Sequence, residues 1–455
     1  MVVHKRIKYV LAALTVTSVA LSVGLYALLG NVKKQINVTV LIERRAERRT
    51  LIRHVSLPES KISKSSLVKS SPMTRLNVTF DEKPSCEALI EGDGEQIRRA
   101  FSFAKHHHYT RNTHCVNMAK NCETFLKECP YILNASAEET GFPLAFSIVM
   151  YKDVEQVERL LRTIYRPTNF YCIHVDKNAS ELVKNDIKHI VNCLPNVFTP
   201  TKVFGVVWGE FSVLGADLSC MEDLLGHPGW RYFINLTGQE YPLKTNLEIV
   251  RILKIMNGAN IVDANSQLRW RWRRWDMAGP PPHNISLYKG NVHVAVNRDF
   301  VDYAINNPIA KDFTRWLTHT KVPDETFFAT LNHNPQLHIP GSSTGPVDTD
   351  YDKKPYIARF KNWGPQWGEK SFDWPCGGVR NHNVCVFGMS DLPLLTSRRE
   401  LFANKFYVNY QPQTFDCMEE WLRNRTVLEY KGMFEFNYTF YRTMPHLNFV
   451  YRPDT

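Results

Sequence analysis

Phe146-Ser147-Ile148-Val149-Met150 is a short apolar run of strand type. Val154, Val157, Leu160, Leu161 and Ile164 follow at helical spacing, and Phe170 to His174 form a second strand-type run. Downstream, Leu214, Leu218, Met221 and Leu225 mark a helix, Tyr232 to Leu236 a third strand, and Leu247, Val250 and Leu253 another helix. Strands that alternate with helices imply parallel neighbours joined by crossovers, with helices on both faces. The expected class is therefore α/β with a mostly parallel sheet. Ligands of such sheets bind beyond the carboxyl ends of the strands. Asp176, directly after the second run, sits where a nucleotide would be met; alternatively it is a turn or cap residue. No internal repeat and no glycine-rich phosphate loop occurs, which argues against a kinase or a dehydrogenase.

Working outward, the chain has 455 residues, 44% of them hydrophobic, enough for a large core. The net charge of +11 suits acidic ligands or a membrane surface. Nucleic acid ranks last, since no zinc-finger spacing or RNP-type motif appears. Residues 9–32 are uncharged and mostly apolar, long enough to span a bilayer. The bulky stretch Leu25 to Leu29 lacks a small-residue cleavage site, so an uncleaved signal-anchor is expected. Positive charges alone would orient it the wrong way, because Lys33, Lys34, Arg44, Arg45, Arg48 and Arg49 outnumber Lys5, Arg6 and Lys8.

Cysteines and glycosylation acceptors decide otherwise. All ten cysteines lie beyond residue 85. Asn-X-Ser/Thr triplets stand at Asn37, Asn77, Asn134, Asn178, Asn235, Asn284, Asn424 and Asn437. Together they favour a lumenal, oxidising compartment. Asn235 falls in an expected strand and should carry no glycan. The organisation expected is a cytosolic tail (1–8), a transmembrane signal-anchor (9–32), a basic, Ser-rich stem (33–80) and a lumenal body (81–455). His106-His107-His108 reads as a solvated loop, since adjacent histidines cannot all face one ion from regular structure.

A carboxylate pair follows a proline in Val322-Pro323-Asp324-Glu325-Thr326-Phe327-Phe328. The proline biases Val322 towards an extended shape and favours a helix start, with Asp324 and Glu325 in the first turn where the dipole welcomes negative charge. Both carboxylates could merely decorate that start; alternatively Glu325 is a general base in a cleft.

Five stretches occur in order: FYCIHVD (170–176), INLTGQEYPLKTNLEIVR (234–251), VPDETFF (322–328), VCVFGMSDL (384–392) and LFANKF (401–406). They resemble the β-1,6-N-acetylglucosaminyltransferases that branch mucin-type O-glycans, the core 2 enzymes and their I-branching relatives, over about residues 85–425. The resemblance implies a GT-A fold, a Golgi type II membrane protein and inverting transfer from a UDP-sugar to the 6-hydroxyl of GalNAc in core 1 O-glycans. It implies Glu325 as the base, since the acceptor hydroxyl must lose its proton as the bond forms. It implies that cationic side chains, not a metal, neutralise the leaving UDP. Lys405 matches one such cation. The second falls at His382, with Arg380 two residues earlier, and either could serve.

Asp176 and Trp208 match residues of the nucleotide site, and Trp363 one that packs on the acceptor sugar. The acceptor arginine maps into LRWRWRRW (268–275), at Arg269 or Arg271. The Asp-X-Asp stretch Asp348-Thr349-Asp350 lies in a Gly/Ser/Pro-rich loop with no strand before it and reads as solvated charge. The resemblance also implies Cys86–Cys417, Cys122–Cys193, Cys172–Cys220 and Cys376–Cys385; Cys115 and Cys129 are left to pair by subtraction. Expected partners are O-glycosylated glycoprotein acceptors and the membrane, with a homodimer left open. Two other readings stand: the same fold with UDP-glucose or UDP-xylose as donor, and a non-catalytic lumenal glycan-binding protein.

Overall fold

A computed structural model describes residues 84–106, 109–267, 272–350, 352–364 and 374–453. The expected signal-anchor and stem, Asn37, Asn77, His107, His108, Arg269 and Arg271 lie outside the described residues. Among the described residues no helix is long and apolar enough to cross a membrane.

The central sheet forms where the periodicity places it. β1 (Leu144–Met150), β2 (Phe170–Val175), β3 (Val197–Phe198) and β4 (Tyr232–Thr237) are parallel, and β6 (Ala295–Asn297) closes the edge antiparallel to β4. The strand order is β3-β2-β1-β4-β6. After β3 the chain returns to the other side of β1, so a topological switch lies between β1 and β4, at the end where ligands of such sheets bind. Successive side chains of β1 point to opposite faces. Phe146 and Ile148 join one buried cluster and Ala145 the other. That two-sided burial explains why the run reads as continuously apolar.

Helix Val154–Ile164 covers the first face, and its Leu160 and Leu161 are fully buried. Each contributes roughly 1.5–3 kcal/mol of burial. On its outer side Arg159 pairs with Asp416 (2.7 Å) and Glu419 (2.6 Å) of helix Pro412–Tyr430. Helix Phe211–Leu225 covers the other face and is stapled to β2 by Cys172–Cys220.

Two smaller sheets complete the body. β5 (Glu240–Pro242), β10 (Phe402–Asn404) and β7 (Arg359–Lys361) pair in the order β5-β10-β7, and β8 (Val379–Asn381) pairs with β9 (Val384–Val386) as a hairpin. All four disulfides implied by the resemblance are formed, and Cys115 bonds Cys129. Cys86–Cys417 closes a separation of 331 residues, the longest restraint on the unfolded chain.

Asn235 is 2% exposed inside β4, where its amide bonds Asp217 and the Val292 carbonyl, so a glycan has no access. Asn134, Asn178, Asn284, Asn424 and Asn437 are exposed. The Asp-X-Asp carboxylates have structural partners: Asp348 accepts from the Ser266 backbone and hydroxyl, and Asp350 from the N–H groups of Asp352 and Lys353. His106 is exposed and bonds the Ser102 carbonyl.

One local expectation fails. Val322 is not extended; its φ is +51°, the left-handed region that β-branched residues avoid. The bias from Pro323 is overridden by tertiary backbone bonds. Val322 N–H donates to the Gly209 carbonyl (2.8 Å), and Lys321 N–H to the Arg274 carbonyl (3.0 Å). The helix then begins as expected, at Asp324.

Candidate active site

Helix Asp324–Asn332 carries Glu325 in its first turn, with the side chain partly exposed. Glu325 Oε2 accepts from Arg274 Nη1 at 2.7 Å and lies 3.5 Å from Lys289 Nζ. Burial alone would raise its pKa, but Lys289 and then Arg274 outweigh it, and the carboxyl is held below its usual range. Glu325 is therefore ionised at neutral pH, the state a proton acceptor requires.

Its neighbour behaves oppositely. Asp324 is 7% exposed, its Oδ1 has no hydrogen-bond partner among the described residues, and burial, reinforced by the Glu325 charge, pushes its pKa up to about 7. The pKa values of two adjacent carboxyls in one helical turn are thus pushed in opposite directions, because one faces cations and the other is buried.

A buried group of charged side chains is internally paired. Glu240, fully buried, meets Arg359 at 3.1 Å and His293 Nε2 at 3.0 Å. Burial, helped by the nearby Lys361 and Arg359, keeps His293 neutral. Asp217 accepts from Ser147 (2.7 Å) and Asn235 (2.8 Å), and burial lifts its pKa to about 6. Lys361, at the end of β7, lies in the field of Glu240 and Glu325; burial outweighs both and lowers its pKa. The ring of Trp363, 39% exposed, has its centroid 6.0 Å from Lys361 Nζ.

The β7–β10 register joins this end to the expected donor end. Lys361 pairs with Asn404, and Lys405 follows. Lys405 is 8% exposed, and burial lowers its pKa. Its Nζ donates to Asn381 Oδ1 at 3.2 Å. The hairpin that carries Asn381 turns through His382 and Asn383, with φ of +47° and +64°, the signature of a type I′ turn. His382 is exposed at the tip.

Alternation along β8 sends Arg380 the other way from Asn381. There its Nη1 donates to the carbonyls of Asn362 (3.0 Å) and Asn383 (3.3 Å), and its Nη2 to Asn362 Oδ1 (3.3 Å). The guanidinium is thus engaged by the chain itself.

Directly after β2, Asp176 ties strand to loop. Its N–H donates to the Met150 carbonyl, and its carboxylate accepts from Asn178 (2.6 Å) and Val206 (2.8 Å). The loop it fixes presents Trp208, 86% exposed. Gly209 of the same loop is the acceptor for Val322 N–H, so the loop and the start of the Glu325 helix are backbone-linked.

Glu325, Trp363 and Lys405 are thus brought around the paired ends of β7 and β10. Asp176 and Trp208 stand at the end of β2. Sequence reasoning missed Arg274, Lys289, Lys361 and Glu240. Arg274 belongs to the basic-aromatic run that was singled out, three residues beyond Arg271, but no spacing rule distinguished it. Glu240 lies inside the quoted stretch 234–251 but was given no role there, and Lys289 and Lys361 carry no local signal. Chemically these residues offer an ionised carboxylate held among cations, an exposed aromatic face and a desolvated ammonium group.

The sequence model of a family described as Core-2/I-Branching enzyme matches residues 144–374. The human "Beta-1,3-galactosyl-O-glycosyl-glycoprotein beta-1,6-N-acetylglucosaminyltransferase 3" is 32% identical over 398 residues, covering 82% of this chain and 90% of its own length. A Bos taurus protein of that name without the numeral is 35% identical, covering 76% and 88%. A bovine herpesvirus 4 (strain LVR140) protein, also without the numeral, is 33% identical, covering 75% and 83%.

Proposed function

This chain belongs to the core-2/I-branching enzyme family, and on that premise we propose that it transfers GlcNAc from UDP-GlcNAc to the 6-hydroxyl of GalNAc in core 1 O-glycans of glycoproteins, forming a β-1,6 branch. The relatives' names carry the donor sugar and the acceptor class. The observation that carries the chemistry is the ionised Glu325 in the field of Lys361, whose strand partner Asn404 directly precedes Lys405.

In this reading Trp363 packs on a sugar face and Glu325 accepts the hydroxyl proton. As that proton moves, the acceptor oxygen bonds the anomeric carbon and the bond from that carbon to the UDP oxygen breaks, its electron pair leaving with UDP. A single displacement inverts the centre and needs one carboxylate; a covalent intermediate would need a second as nucleophile. Lys405, already stripped of water, gains most when the departing diphosphate supplies a counter-charge. Asp176 and Trp208 hold the uridine. Transfer in this reading is metal-independent.

The finer fold assignment, GT-A, is supported by the parallel sheet with its antiparallel edge strand. A Golgi location as a single-pass type II protein, with tail, signal-anchor, stem and lumenal body as bounded above, is supported by the apolar stretch at 9–32, the glycosylation acceptors and five disulfides. A second reading, transfer of another sugar or glycan binding without transfer, is favoured by the commitment of Arg380 to Asn362 and Asn383. The full-length chain in detergent, screened with UDP-GlcNAc, UDP-glucose and UDP-xylose against a Galβ1-3GalNAc acceptor, separates these readings. Transfer of GlcNAc alone supports the first, and no transfer or hydrolysis of any donor refutes it.

A further inference from the structure

Resting on that reading of the donor end, we propose that Lys152 is a second cation of the diphosphate site, supplying positive charge that the engaged Arg380 does not. Two ammonium groups stand near one phenol ring. Lys405 Nζ stands 5.7 Å and Lys152 Nζ 6.0 Å from the ring centroid of Tyr407. The two are therefore no farther apart than those distances laid end to end, a span that one diphosphate and its solvation can bridge.

The arrangement is built. Gln156, 1% exposed, donates from Nε2 to the carbonyls of Gly238 (2.7 Å) and Phe406 (3.0 Å), and its Oε1 accepts from Val408 N–H (2.8 Å). It therefore brackets residue 407 on both sides and fixes the Tyr407 backbone against the start of helix Val154–Ile164. Lys152 lies two residues beyond Met150, whose carbonyl anchors Asp176. It thus stands at the carboxyl end of the central strand, next to the switch point.

Lys152 is half-exposed, stands 3.8 Å from Asp153 and lies 5.3 Å from the ring centroid of its neighbour Tyr151. Burial disfavours its charge, but Tyr151 and Asp153 outweigh that and keep it protonated. A compact ammonium on a flexible stem suits a phosphate met as a point charge.

The test is calorimetric titration of UDP and of uridine into the full-length chain in detergent, comparing wild type, Lys152→Met, Lys152→Arg and His382→Ala. Lys152→Met should weaken UDP about tenfold, the loss of one charged hydrogen bond, and leave uridine unchanged. Lys152→Arg should restore most of the loss, and His382→Ala should cost less than Lys152→Met. Equal UDP affinity for wild type and Lys152→Met overturns the proposal. So does a parallel loss of uridine binding, which would mark a structural role, or a larger loss from His382→Ala. Wild-type protein that binds no UDP would overturn the reading of the donor end together with this proposal.

Discussion

Glu325→Gln isolates the base. The amide is nearly isosteric, and its oxygen can still accept from Arg274 Nη1, now at 2.7 Å from the carboxylate. The fold should therefore lose only the charged share of one hydrogen bond, about 1 kcal/mol. Chemistry should lose far more. A positioned general base contributes roughly 10²–10⁴-fold, which corresponds to about 2.7–5.5 kcal/mol of barrier. UDP should bind as before or slightly tighter, because Arg274 and Lys289 would then lack their counter-charge. The assay is initial-rate GlcNAc transfer to a Galβ1-3GalNAc acceptor at saturating UDP-GlcNAc, with UDP affinity measured in parallel by calorimetry. The competing role for Glu325 is as a counter-ion for Arg274 and Lys289. That role would raise the acceptor KM and leave kcat intact. A kcat within tenfold of wild type, with only KM changed, refutes the base assignment.

Arg274→Met removes a cation that holds the Glu325 carboxyl down. The Glu325 pKa should rise, so less base is ionised in acid, and the acid limb of kcat/KM should move to higher pH; a limb that stays put or moves lower contradicts this. Asp324 has a folded pKa of about 7 against 3.8 unfolded, so the folded state holds the extra proton between those values. Its stability contribution is complete below the unfolded value and is lost as pH rises through 7, by on the order of a few kcal/mol. Asp324→Asn should therefore melt progressively higher than wild type as pH goes from 5 to 8, and a pH-independent difference would refute the assigned protonation. Transfer should persist in excess chelator; complete loss that manganese restores would replace the cationic mechanism with a metal-dependent one.

The sequence alone determined the order and type of the main elements, because a period of two or 3.6 is written in neighbouring residues and burial enforces it. Phe146–Met150 and Val154–Ile164 are where their apolar spacing puts them, and Pro323 marks the start of the Glu325 helix. The cysteine pairs followed from matching motifs. The tertiary structure alone decided the electrostatic state around Glu325. Arg274, Lys289 and Lys361 meet Glu325 from segments far apart in the chain, and nothing in their own surroundings announces it. It also decided the local exceptions. Val322 takes a left-handed φ because Gly209 and Arg274 supply carbonyls to this segment, and Arg380 is engaged because strand alternation turns it towards Asn362. A periodic pattern is a short-range property of the chain. A pKa, a strained dihedral and a shared counter-ion are properties of whatever the fold packs beside a group.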